Sequence, residues 1–147
     1  MKNDKMLTYK DVMYGDIVAI EDFSIDRDTY DLVRTVVPCK VVGFTDGNTI
    51  LEYTSKENEQ TLTVMQEFMP YDATKEILEK NGFGEISKDV FQYKDDETTV
   101  VQVSLNQETP FVYCKTLDNE TKFNGIYPIH IIQHVCKNCF LEKEFEI

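Results

Sequence analysis

One stretch constrains the fold of this chain more than any other, Gly125 to Ile147, GIYPIHIIQHVCKNCFLEKEFEI. At about 100° per residue with His130 as origin, Ile129, Ile131, Ile132, Val135, Cys136, Cys139 and Phe140 fall between about 100° and 280°. His130, Gln133, His134, Lys137 and Asn138 occupy the remaining arc. No residue crosses the line. The split predicts an amphipathic helix over 128–140, with Pro128 as its first helical residue and half its girth buried. The polar arc is expected to stay wet, because hydrogen-bonding groups buried without partners are costly. Any chain that contains this helix must supply an apolar surface for it to cover.

The rest of the sequence offers strands for that purpose. A turn at Tyr14-Gly15-Asp16 opens a buried strand, Ile17–Ile20, and an acidic loop follows from Glu21 to Asp31. Val36–Phe44 is β-branched but interrupted by Pro38, which places it at an edge or bend. Asp46-Gly47-Asn48 is a tight-turn signal, Thr49–Thr54 returns, and Thr61–Met65 alternates after a polar turn at Ser55–Gln60. Past Pro70 comes a short helix, Ala73–Lys80, capped by Asp72 or Thr74 and stopped at Asn81-Gly82. Strands are expected again at Val90–Lys94, Thr98–Leu105, Phe111–Leu117 and Lys122–Ile126, with an acidic turn at Asp95-Asp96-Glu97. The end, Glu144 to Ile147, alternates like a strand that closes the sheet.

The fold class that follows is α+β. A small bent antiparallel sheet or partial barrel comes first, then a central short helix, then a second antiparallel sheet packed by the amphipathic C-terminal helix. The layout of the first part is analogous to small barrels of the Tudor and Src-homology type. The 147 residues suit one domain, or two lobes divided near Pro70 as 1–70 and 71–147.

Charge and composition narrow the function classes. The formal charge is −12, shared evenly between the halves, and the lysines are scattered. A duplex binder needs a cationic track, and none is legible. No apolar run approaches the length of a membrane span. The start, MKNDKMLTYKD, lacks the apolar core of a signal peptide, so a cytoplasmic home and reduced thiols are expected.

Three motifs invite chemistry and fail on geometry. His130, His134, Cys136 and Cys139 are all zinc ligands by type, but the two pairs lie on opposed sides of one helix, and a closed site needs four ligands together. Cys136-x-x-Cys139 sits far from the helix N-terminus that would favour a thiolate. The acidic run around Asp26, Asp28 and Asp31 lacks the glycine and the bidentate glutamate of a calcium loop. No metal or cofactor is therefore expected. Cys39, Cys114 and the serines lack the glycine context of a nucleophile elbow, and although His130 or His134 could serve as a base, surface histidines are the plainer reading.

The order of features resembles a family of small proteins without assigned activity from anaerobic gut bacteria and their prophages. The resemblance rests on Gly15, Asp16 and Val18 in the opening strand, on Thr74, Glu76, Ile77, Leu78, Gly82 and Phe83 in the central helix, and on Ile126, His130 and Gln133 near the end. The tail residues Glu144, Glu146 and Ile147 complete it. The family form has Tyr-Val before the histidine, where this chain has Pro128-Ile129. The resemblance implies the fold order and a mobile-element setting, and no chemistry.

Three functions remain open at this point. One is a non-enzymatic interaction or accessory protein, with acidic rims that select a cationic protein partner. The second is a small hydrolase or nucleotide-handling enzyme with a site assembled from distant residues. The third is an acidic mimic of nucleic acid. For contact, the candidate binding residues are His130, Gln133 and His134 on the polar arc, with Tyr53, Phe68, Tyr71 and Tyr93 as exposed aromatic anchors.

Overall fold

A computed structural model describes residues 6–55, 57–95, 98–139 and 143–147. It shows a small α+β protein with two five-stranded antiparallel sheets and two short helices. The chain divides into two compact units, one running to Tyr71 and the other from Asp72 to Ile147.

The first unit holds β1 (Ile17–Ile25), β2 (Leu32–Thr45), β3 (Asn48–Thr54), β4 (Gln60–Met65) and β5 (Met69–Pro70), in the order β4-β3-β2-β1-β5. Its core gathers Leu7, Val12, Val18, Cys39, Val41, Leu51 and Phe68. Gly15 opens the unit at φ +89°, a left-handed value that disfavours a side chain. The Asp16 carboxylate, fully buried, accepts from the Met13 N–H at 2.8 Å and fixes the same turn. Asp46 and Gly47 both have positive φ between the paired Thr45 and Asn48, a two-residue turn of type I′.

The acidic segment is not the loop expected from sequence. β1 runs on through Glu21–Ile25 and pairs with Leu32–Val36, leaving only residues 26–31 as a turn. The reason is Phe23 and Ile25, whose alternation with Asp22, Ser24 and Asp26 is a strand signal beneath the charge. Pro38 lies where its lack of an N–H is harmless: β3 pairs with β2 only from Lys40 onward, so Pro38 faces an edge locally.

The second unit begins with α1 (Lys75–Lys80). Thr74 caps it, its Oγ1 accepting from the Ile77 N–H at 3.3 Å. Phe83 N–H donates to Leu78 O and Gly82 N–H to Glu79 O, with Gly82 at φ +87°, a complete Schellman stop. Then β6 (Gly84–Ser87), β7 (Val90–Lys94), β8 (Val100–Ser104), β9 (Phe111–Lys115) and β10 (Glu120–Asn124) form a meander. The register sets Phe91, Val103 and Val112 in one row, all buried. α2 (Ile129–Asn138) covers β9, with Pro128 as its N-cap rather than its first residue. Phe140, expected within the helix, and Asp96-Glu97, expected in a turn, lie outside the described residues.

Residues 144–147 form no strand. The backbone of Glu146 pairs instead with a side chain. Its N–H donates to Asn81 Oδ1 at 2.7 Å, and its carbonyl accepts from Asn81 Nδ2 at 2.8 Å. The alternation read from sequence is real, since Phe145 is buried between exposed neighbours, but an amide stands where a strand was expected.

The thiols also depart from expectation. Cys114 on β9 and Cys139 at the end of α2 are joined, with Cα atoms 6.8 Å apart, while Cys39 and Cys136 are free and buried. The bond closes a loop of sequence separation 25, for which the chain-entropy rule gives about 3.5 kcal/mol. Reduction should therefore lower the melting midpoint of the protein. Identical melts with and without reductant, under a thiol count proving reduction, would refute this.

Burial pushes the Cys39 and Cys136 thiols up to about 12 from an ordinary 9.0. Because the folded values lie above the unfolded one, the neutral thiols stabilise fully below pH 9.0, and that contribution drains away between 9.0 and about 12. Denaturant midpoints should fall over that window, and fall less in the Cys39→Ala variant relative to its own neutral value. Equal slopes would contradict the assignment.

Candidate functional site

The sequence candidates do not assemble. His130 and Gln133 are buried, and His134 is half-buried, its ring edge-on to His130 at a centroid distance of 5.7 Å. The polar arc is therefore not wet as expected. The buried arc of α2 is wider than its apolar stripe and extends past Ile129 to take in His130 and Gln133, while Ile131 on the other flank is only half-covered.

Phe68 is not an exposed anchor. It bridges to Leu7 and fills the first core. Tyr53 packs against that core and Tyr71 is half-buried. Tyr93 is half-buried too, its ring tilted against Phe83 at a centroid distance of 5.5 Å, with the Lys143 ammonium 4.6 Å above it. Phe68, Tyr53 and Tyr93 have apolar company within their own units, which is the ordinary fate of large side chains. Among the described residues no group of three His, Cys, Asp or Glu is placed to hold a metal ion, and no helix is long and apolar enough to cross a membrane.

The structure brings a different set together. β5 touches β1 only at Val18 and Ala19, and β3 stops at Lys40, so the pairs from Ile20↔Val37 to Ile25↔Leu32 form a two-stranded arm. Residues opposite each other in an antiparallel ladder share a face. Phe23, Ile25, Leu32 and Val36 thus lie on one face of the arm. Through the Lys40↔Glu52↔Leu62 pairing, Leu62 and Val64 of β4 lie on the same side of the sheet, separated from the arm by Lys40 and Glu52. All six are exposed, among them Phe23 at 54%, Ile25 at 65% and Leu32 at 68%. Exposed apolar residues scattered singly are normal, whereas a run in register is a contact surface or a liability.

Charge frames this face. Glu21 and Arg34 pair diagonally across it, and the segment Glu21–Val36 holds five carboxylates against two arginines. At the tip, Asp26 N–H donates to Asp31 O, Tyr30 N–H donates to Asp26 O, and the Asp26 carboxylate accepts from the Asp28 N–H at 2.8 Å. This network holds Tyr30 at φ +58° with its ring 84% exposed. A bulky residue in the left-handed region carries strain that glycine would avoid. The sequence signal for the arm was the Phe23-Ser24-Ile25 alternation, outweighed by the density of aspartate around it.

Comparison of the chain with family models, with curated proteins and with solved structures returned no match.

Proposed function

We propose that this chain is a non-enzymatic interaction protein that docks onto a cationic protein partner through the arm and the face it shares with β4. The observation that carries the reading is the group of four exposed apolar side chains on one face of the arm, Phe23, Ile25, Leu32 and Val36, rimmed by the carboxylates of residues 21–31. A net charge of −12 repels polyanions and steers cationic surfaces toward the rim. The resemblance to prophage-associated proteins supports an accessory role in a mobile element. The enzyme alternative gains no support from His130, weighed as a base, which is buried on α2 with its ring against that of His134.

The test is substitution of the face against a stability control. Phe23→Ser with Leu32→Ser should leave the melting midpoint within a few degrees of the parent, since both side chains are exposed, and should abolish retention on an immobilised basic protein such as a histone tail mixture. Tyr30→Gly should melt higher, by about 0.5–1 kcal/mol, because it relieves the left-handed strain. Retention of the double variant equal to the parent's would sink the reading.

A further inference from the structure

Resting on that docking reading, we infer that the outer edge of β1 over Glu21–Ile25 takes an extended, basic segment of the partner as an additional strand. The direction of the backbone groups carries the argument. Val41 N–H donates to Asp16 O, and Asp26 N–H donates to Asp31 O, both at 2.9 Å. With the register between them unbroken, the hydrogen-bonded pairs alternate as Val18/Cys39, Ile20/Val37, Asp22/Thr35 and Ser24/Val33. The N–H and C=O groups of Glu21, Phe23 and Ile25 therefore point away from β2. Beyond Ala19 no strand among the described residues receives them. They form a row of unpaired donors and acceptors about five residues long, which is the template that strand addition uses.

The opposite edge is a worse template. There the outward positions are Leu32, Arg34, Val36 and Pro38. Pro38 has no N–H to offer, and the Arg34 guanidinium stands beside the row, two features that blunt an edge. Glu21 and Arg34 already pair with each other across the face, so the charge a cationic segment meets along β1 is that of Asp26 and Asp28 beyond the end of the strand. The side chains of Phe23 and Ile25 lie on the exposed apolar face, so an added strand with alternating apolar and basic residues would pair its apolar side with them. A second copy of this chain is a poor occupant, because its own arm carries the same acidic excess.

The probe is a short synthetic peptide of alternating valine and lysine, with its valine–glutamate counterpart as control, titrated into the intact protein at low salt. The lysine peptide should bind and slow hydrogen exchange at the amides of Glu21, Phe23 and Ile25, and the glutamate peptide should do neither. Phe23→Pro deletes one outward N–H without touching the β1–β2 ladder and should weaken binding about tenfold. If that variant melts early, the amide protection in the unaltered protein decides the matter alone. Protection at Leu32, Arg34 and Val36 instead, or in the protein without peptide as a dimer forms, would overturn the inference. Methyl shifts at Ile25, Leu32 and Val36 without any amide protection would also overturn it, while leaving side-chain docking on the face intact. No perturbation at either kind of group would remove both.

Discussion

Ile132→Asp is expected to unfold the second unit. Ile132 is fully buried on α2, in the helix that covers β9, and its neighbours Ile129, Val135 and Cys136 are buried with it. A carboxylate there must stay charged without a partner or remain protonated at neutral pH, and either outcome costs more than about 4 kcal/mol. Typical domain stability is about 5–15 kcal/mol, so a domain at the lower end of that range keeps little or none. Val135→Asp, also buried, should behave alike. Asn138→Lys, on the exposed end of the same helix, should stay within about 0.5 kcal/mol of the parent and controls for helix propensity. Far-UV and amide-dispersion measurements on the three variants decide it. An Ile132→Asp protein with native dispersion for residues 72–139 would show that α2 does not close the core.

The same helix shows how far sequence could be read. Its apolar stripe was legible, and Ile129, Ile132, Val135 and Cys136 are all inside. What a helical wheel does not contain is the width of the surface that covers it. His130 and Gln133 are buried by tertiary packing past the edge of the stripe, so His130→Ala should now cost about 2 kcal/mol or more by emptying a packed site, rather than the little a wet histidine would cost. Five residues outside that helix have plain folding roles. Gly15 and Gly82 hold left-handed turns, Asp16 ties its own turn, Thr74 caps α1, and Phe83 is buried behind it.

The strands were legible where turns punctuate them and not where tertiary pairing makes them. Asp46-Gly47 announced its hairpin. β5 and β6 are two and four residues long, lack a clean alternation, and exist because β1 and β7 offer edges to them. The arm escaped notice for a different reason. Aspartate is depleted in strands and enriched in turns, so five acidic residues outweighed Phe23 and Ile25. Phe23, Ile25 and Tyr30 consequently fall in a segment whose charge reads as loop, while every aromatic chosen as an anchor is buried or half-buried.

Asn81→Ala should detach the carboxyl-terminal tail and destabilise the second unit by about 2–4 kcal/mol, the sum expected for three hydrogen bonds at a buried amide. Asn81 follows the last turn of α1 and is buried. Its Nδ2 donates to Ile77 O at 2.9 Å and to Glu146 O at 2.8 Å, while Oδ1 accepts from Glu146 N–H at 2.7 Å. One side chain thus stops a helix and presents to the tail the donor–acceptor pair that a neighbouring strand would. What it holds in place is Phe145, buried and 6.2 Å from Phe83, whose ring in turn lies tilted against Tyr93. Lys80 adds a contact to the Ile147 carbonyl from the same helix. Asn81→Asp separates this account from simple loss of volume. The carboxylate keeps an acceptor for Glu146 N–H but faces two carbonyls with no hydrogen to donate, so it should destabilise at least as much as alanine despite its matching shape. Denaturant titration ranks the variants, and carboxypeptidase trimming reports the tail directly, with residues 143–147 lost quickly from both variants and slowly from the parent. A well-folded Asn81→Asp protein whose tail resists trimming would mean that Phe145 seats itself without the clamp, and that the amide only decorates a contact made by the rings.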